Sequence, residues 1–217
     1  MQKKLLTFLI LIGFFYSHAQ TTYYFSSSAG NDNNDGTSQE SAFQTIVKLN
    51  ELTLSPGDQI LFKKGDTFIG EIIVNYSGAE NAPIIFDSFG TGAKPILSGS
   101  NGNNGVPDPL ATINIVGKGY LEFRNLHIEN ERFDKATGAD DDKSFGIYYR
   151  SFKTLPSSGN FEDGQMAKHL YFSNLTLQNI YSLGSSGTAF DDIRTSGIHI
   201  WDAFINDVIE QSGRSSF

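Results

Sequence analysis

The chain has 217 residues, 24 acidic against 16 basic side chains, a formal net charge of −8 and no cysteine. The acidic balance argues against nucleic acid, whose phosphates need clustered Lys and Arg, and disfavours an anionic polysaccharide unless a cation bridges the two. Without cysteine the fold must rest on packing and hydrogen-bond ladders rather than disulfides.

The first nineteen residues read as a secretory signal peptide. Lys3 and Lys4 make a charged start, Leu5 to Tyr16 an apolar run, and Ser17-His-Ala19 a small-residue cleavage site. That apolar core is too short to span a bilayer. No later stretch is apolar enough to do so, and the protein is expected to be secreted, to the extracellular space, the periplasm or the cell surface. Residues 20–100 are expected to hold an amino-terminal cap and the first coils. Residues 101–217 are expected to hold further coils carrying inserted loops, with the surface loop Asn101-Gly-Asn-Asn-Gly105 at the join.

Thr21 to Ser27 reads as a short strand, followed by the turn formers Ala29 to Gly36. Read as a calcium loop, that run lacks the closing carboxylate, since Ala42 stands at the twelfth position; a turn is the better reading. From Ser41 to Leu52 the apolar residues Phe43, Ile46, Val47, Leu49 and Leu52 have helical spacing. This helix is expected to cover the first open coil, because an exposed sheet end invites aggregation. Short strands follow at Gln59–Phe62, Thr67–Val74, Pro83–Asp87 and Lys94–Ser98, most of them closed by glycine.

A phrase F-x-N-x-x-I-x-N then repeats at Phe123–Asn130, Phe172–Asn179 and, with changes, Phe204–Gln211. A second phrase precedes each copy: Thr112–Val116, Gly146–Arg150 and Gly197–Trp201. Repeats of 20–50 residues without intervening helices describe a solenoid. The expected fold class is therefore all-β, a right-handed parallel β-helix with Ile113, Ile147 and Ile198 stacked inward. Asn125, Asn174 and Asn206 are expected to form an internal ladder at turns. Asn174-Leu-Thr176 also matches a glycosylation sequon, but the repeat accounts for that Asn.

Several segments resemble the amino-terminal part of secreted bacterial right-handed β-helix repeat proteins. They are Thr22-Tyr-Tyr-Phe25, Gly30-Asn-Asp32, Asp35-Gly-Thr37, Ala42-Phe-Gln-Thr-Ile46, Pro56-Gly-Asp-Gln-Ile-Leu-Phe62, Gly65-Asp-Thr-Phe68 and Lys94-Pro-Ile-Leu-Ser-Gly99. Those proteins belong to the pectate-lyase-like superfamily, with relatives among alginate-lyase and chondroitinase-type polysaccharide lyases. The resemblance implies the fold and a polysaccharide partner. The Lys and Arg pair and the calcium carboxylates that such lyases carry on later coils map onto no motif here. Ser212 to Phe217 stands where a further coil should begin, so the resemblance also implies a chain truncated at its carboxyl end.

Strand alternation places Tyr148, Arg150, His199 and Trp201 outward on adjacent coils, a face of rings and a guanidinium suited to sugars. The insertions Glu131–Phe145 and Leu183–Ser196 bring a second group. Asp140, Asp141 and Asp142 on one, with Asp191 and Asp192 on the other, could hold a hard cation such as Ca²⁺; Asp runs in loops are more often solvated. The leading functional reading is an exported carbohydrate-active protein that binds or cleaves a polysaccharide, by β-elimination of a uronic-acid polymer first and glycoside hydrolysis next. The competing reading is a non-catalytic surface or adhesion β-helix. Fold alone does not choose between them.

Overall fold

The computed structural model describes residues 20–101, 107–132, 143–150, 167–182, 194–201 and 205–210. After β1 (Thr22–Phe25) and α1 (Ile46–Glu51), the strands come in threes. They are β2 (Gln59–Lys63), β3 (Thr67–Ile69), β4 (Ile72–Val74); β5 (Ile84–Phe89), β6 (Ile96–Ser98), β7 (Ala111–Val116); β8 (Leu121–Arg124), β9 (His127–Glu131), β10 (Lys143–Arg150); and β11 (Ala167–Ser173), β12 (Thr176–Tyr181), β13 (Arg194–Trp201). A last strand, β14 (Ile205–Glu210), returns to the first sheet. Sheet A has the order β1-β2-β5-β8-β11-β14, sheet B β3-β6-β9-β12 and sheet C β4-β7-β10-β13, with every named strand pair parallel. Each coil thus gives one strand to each of three sheets, the arrangement of a parallel β-solenoid.

The core follows from equivalent positions stacking coil upon coil. Ile72, Ile113, Ile147 and Ile198 are successive partners in sheet C, as the aligned phrases predict for the last three. Phe68, Leu97, Ile128 and Leu177 make the equivalent column in sheet B. In sheet A the column is Ile60, Phe86, Phe123 and Phe172, all buried. Period-two alternation sends these side chains inward and their neighbours outward.

The helix is shorter than its spacing predicts. Phe43 is drawn into a bridge with Phe25: its amide donates to Tyr24 O (2.9 Å) and its carbonyl accepts from Ser26 N (2.8 Å). Helix therefore begins only after Thr45, whose hydroxyl accepts from Lys48 N and caps the first turn. Ile46 and Leu49 enter the core, while Asn50 bonds the outer edge of β4 through Glu71 O (2.8 Å) and Ile73 N (3.0 Å). The Thr67–Val74 run is two strands rather than one. Gly70, at φ +127°, turns the chain from sheet B to sheet C, a conformation that side chains rarely adopt.

Two features of the Asn ladder differ from expectation. Asn174 Nδ2 donates to Asn125 Oδ1 (2.7 Å) and Asn125 Nδ2 to Asp87 Oδ1 (2.7 Å), so the ladder ends on a carboxylate. Both asparagines are left-handed (φ +51° and +55°) at the corner between sheets A and B, and Asn174 is exposed, so the ladder is not internal. Asn206 does not join that corner. It lies within β14, where Ile209 pairs with Tyr171 and Glu210 with Phe172, so the third phrase is out of register with the first two.

Candidate functional site

Sheet C brings together the residues singled out on its outer face. Tyr148 partners His199 and Arg150 partners Trp201. The file continues downward, since Tyr148 also partners Asn114, and Asn114 partners Ile73. Tyr148 is only 5% exposed, because Phe145, Ala111 and Leu110 pack round it in a small cluster outside the main core. Phe145 and Tyr148 stack at 5.0 Å, Phe145 and His199 at 4.5 Å, and Tyr148 and His199 at 5.8 Å. What reaches the surface is therefore His199, the upper member of an aromatic stack whose other two rings are covered. A Cβ at Gly146 would meet Gly197 O at 2.7 Å, so glycine is needed there for these two coils to approach. Trp201 is placed by its backbone register alone.

One carboxyl joins this face that the sequence did not single out. Glu71 Oε1 accepts from Asn114 Nδ2 at 2.8 Å. Burial pushes the Glu71 carboxyl above its ordinary value of 4.5, and the bond from Asn114 offsets this only in part. The folded protein therefore holds this proton more tightly than the unfolded chain does. Its contribution to stability is full below about 4.5 and is lost as pH rises through the folded value. Glu71→Gln should flatten that decline in thermal melts taken across the window. A slope that survives the substitution would assign it to another group.

A second polar constellation stands on the outer face of sheet A. Glu122 has a side chain 9% exposed and bonds both Arg124 Nη2 and His169 Nε2, the latter at 2.9 Å. Arg124 lies over the Tyr171 ring at 5.5 Å. Tyr120 and His169 stack at 6.2 Å, and His169 and Tyr171 at 6.4 Å. Sheet B carries a smaller file, in which His127 Nε2 lies 3.1 Å from Glu129 Oε1 and Asn179 Nδ2 donates to the same oxygen at 2.9 Å.

The coils are similar to part of a known enzyme structure. Two crystal structures of a GH136 lacto-N-biosidase from Eubacterium ramulus, the native protein and its selenomethionine derivative, match 71% of this chain at 23% sequence identity and a TM-score of 0.55. The likeness is one of fold. The chain spans about a quarter of that enzyme's length, 26% in each case. No protein-family model matches the sequence, and neither does a curated protein.

Asp140, Asp141, Asp142, Asp191 and Asp192, the candidate Ca²⁺ ligands, lie outside the described residues, as do residues 1–19. Among the described residues no group of three or more His, Asp or Glu side chains is placed to hold a metal ion, and no helix is long and apolar enough to cross a membrane. The carboxylates of the Ala29–Gly36 turn are taken up locally: Asp32 accepts from Gln44 N, Thr45 N and the Thr45 hydroxyl, and Asp35 from Thr37 and Ser41. Glu71, Glu122 and His169 were missed because each owes its role to a partner more than forty positions away. The one available signal was outward parity on strands whose inward partners were already aligned.

Proposed function

We propose that this chain forms coils of an exported, carbohydrate-active β-helix protein that lays a polysaccharide across the outer face of sheet C. The observation that carries this reading is the outward file Asn114–Tyr148–His199 with the Glu71 carboxyl bonded at its lower end. Aromatic faces stack on the apolar faces of sugar rings, while amide and imidazole groups meet hydroxyls. The right-handed coil sense expected from the sequence accords with the strong preference of parallel crossovers. The likeness in fold to a lacto-N-biosidase supports carbohydrate chemistry in general.

Glycoside hydrolysis fits this face better than β-elimination. Protonating a leaving glycosidic oxygen needs a carboxyl beside the bound sugar, and Glu71, bonded to Asn114 at the foot of the file, is the one this face supplies among the described residues. Glu71 is therefore assigned as proton donor, with His199 seating the sugar, Tyr148 backing it from within, and Arg150 and Trp201 on the file beside them.

The test uses neutral and uronate-containing oligosaccharides. The protein should release new reducing ends without an unsaturated, ultraviolet-absorbing product. Glu71→Gln should slow that release by about 10²–10⁴-fold with the circular dichroism unchanged. Unsaturated product, or an undiminished rate in Glu71→Gln, overturns the hydrolytic reading. Failure to bind or cleave any of these sugars overturns the carbohydrate reading itself.

A further inference from the structure

We propose that the outer face of sheet A carries a second sugar site, distinct from the sheet C face. In it Tyr120, His169 and Tyr171 seat the rings of a neutral oligosaccharide, and the Glu122–His169–Arg124 network bonds its hydroxyls.

The backbone is held in a costly conformation under two of these rings. Tyr120 and His169 occupy equivalent places on successive coils, each just before the partnered residues Leu121 and Leu170. Both are left-handed, at φ +54° and +48°. Bulky residues are rarely found there, and the conformation costs on the order of a kcal/mol at each position. The pairing of β11 with β14 shifts register on both sides of Lys168 and passes over His169. Bulges of this kind re-aim a side chain out of its ladder. With the bulge at His169 and the left-handed backbone at both residues, two rings come onto one outer face, nearly parallel to each other (17°), with Tyr171 continuing the row at 14° to His169.

Burial and charge also set this network apart from an ordinary surface. An ordinary surface ion pair is exposed and contributes little. Glu122 is instead covered to 9% on a face that points away from the core, with one oxygen on His169 and the other on Arg124. The site bonds hydroxyls with what remains. His169 Nε2 is committed to Glu122, which leaves Nδ1 for a ligand. The Arg124 side chain is 38% exposed, so its guanidinium offers outer N–H groups to a ligand beside the bond to Glu122. The guanidinium faces a carboxylate rather than a second cation, so the network forms no cluster of positive charge that would select a polyanion. A row of rings with an imidazole acceptor and guanidinium donors at its foot fits an uncharged sugar polymer.

The inference does not depend on the sheet C reading. An array of neutral, sialylated and uronate oligosaccharides probed with the full chain should show neutral sugars bound. Tyr171→Ala should weaken that binding several-fold to about tenfold, the scale of one stacked ring, and Tyr171→Phe should retain it. Tyr120→Ala, on the preceding coil, should weaken it by a similar factor and serves if Tyr171→Ala does not fold. Glu122→Gln should also weaken it, because His169 and Arg124 lose the charge that holds them. Absence of neutral-sugar binding overturns the proposal, and so does a preference for uronates. Binding kept in both alanine variants but lost in His199→Ala would belong to sheet C, and would overturn it equally.

Discussion

Phe123→Ala should lower the unfolding free energy by about 3–5 kcal/mol, the usual cost of a buried Phe-to-Ala change. Phe123 is fully buried in sheet A's column, stacked on Phe86 at 4.8 Å and 12° and on Phe172 at 5.7 Å and 18°. Deleting the ring removes two aromatic contacts together with the buried surface, and the coils on either side are held apart by their own hydrogen-bond ladders. The space therefore collapses poorly. Against a total of about 5–15 kcal/mol for a domain, the loss is a large fraction. A urea titration should show a lower midpoint with an unchanged slope. Phe123→Leu should cost much less. A loss under about 1 kcal/mol for the alanine variant would mean that the column is not continuous through this coil.

Asn130→Ala should cost about 2–4 kcal/mol, for a different reason. Asn130 is fully buried, and its Nδ2 donates toward Leu110 O and Phe145 O at 3.1 Å and Pro109 O at 3.3 Å. Alanine takes the side-chain donor from Phe145 O and Pro109 O, at about 1–3 kcal/mol each, while Leu110 O keeps the bond from Phe145 N at 2.9 Å. Asn130→Asp should be worse at neutral pH, because an ionised carboxylate has no hydrogen to offer and would face three carbonyl oxygens. Its deficit should shrink in acid as the carboxyl gains a proton. An aspartate variant as stable as the parent would show that the amide is not the donor. Phe145 stacks on both Tyr148 and His199, so either substitution should also loosen the sheet C platform.

Sheet C was legible in sequence because Ile-x-Ile alternation fixes which side chains point inward, and a one-residue slip would have turned every Ile outward. Tyr148 and His199 followed from that register. The third F-x-N phrase misled because its few matching letters ignore where the coil stands. Only residues 202–204 separate Trp201 from β14, so the chain is back in sheet A before it can reach the corner that needs a left-handed Asn. The helix was placed correctly but drawn too long, since periodicity does not show that Phe43 pairs with Phe25. Tyr148 was read as facing solvent, yet an outward residue on a three-sided solenoid can be covered by its neighbours, here Phe145 and Leu110. His169 was not singled out because Glu122 lies a full coil earlier and left-handed geometry at a non-glycine residue leaves no mark in sequence.

The division of each coil among three sheets gives the molecule the character of a one-dimensional lattice. A strand meets its equivalents one coil before and one coil after, so energetic coupling passes along the axis from neighbour to neighbour and fades with each step. Across a single coil the only covalent route between faces is a corner, such as the turn Gly117–Gly119 between Asn114 of sheet C and Tyr120 of sheet A. Surface chemistry on one face can therefore be rewritten while the others keep theirs. A change of inward volume, by contrast, is felt on all three faces at that level of the stack.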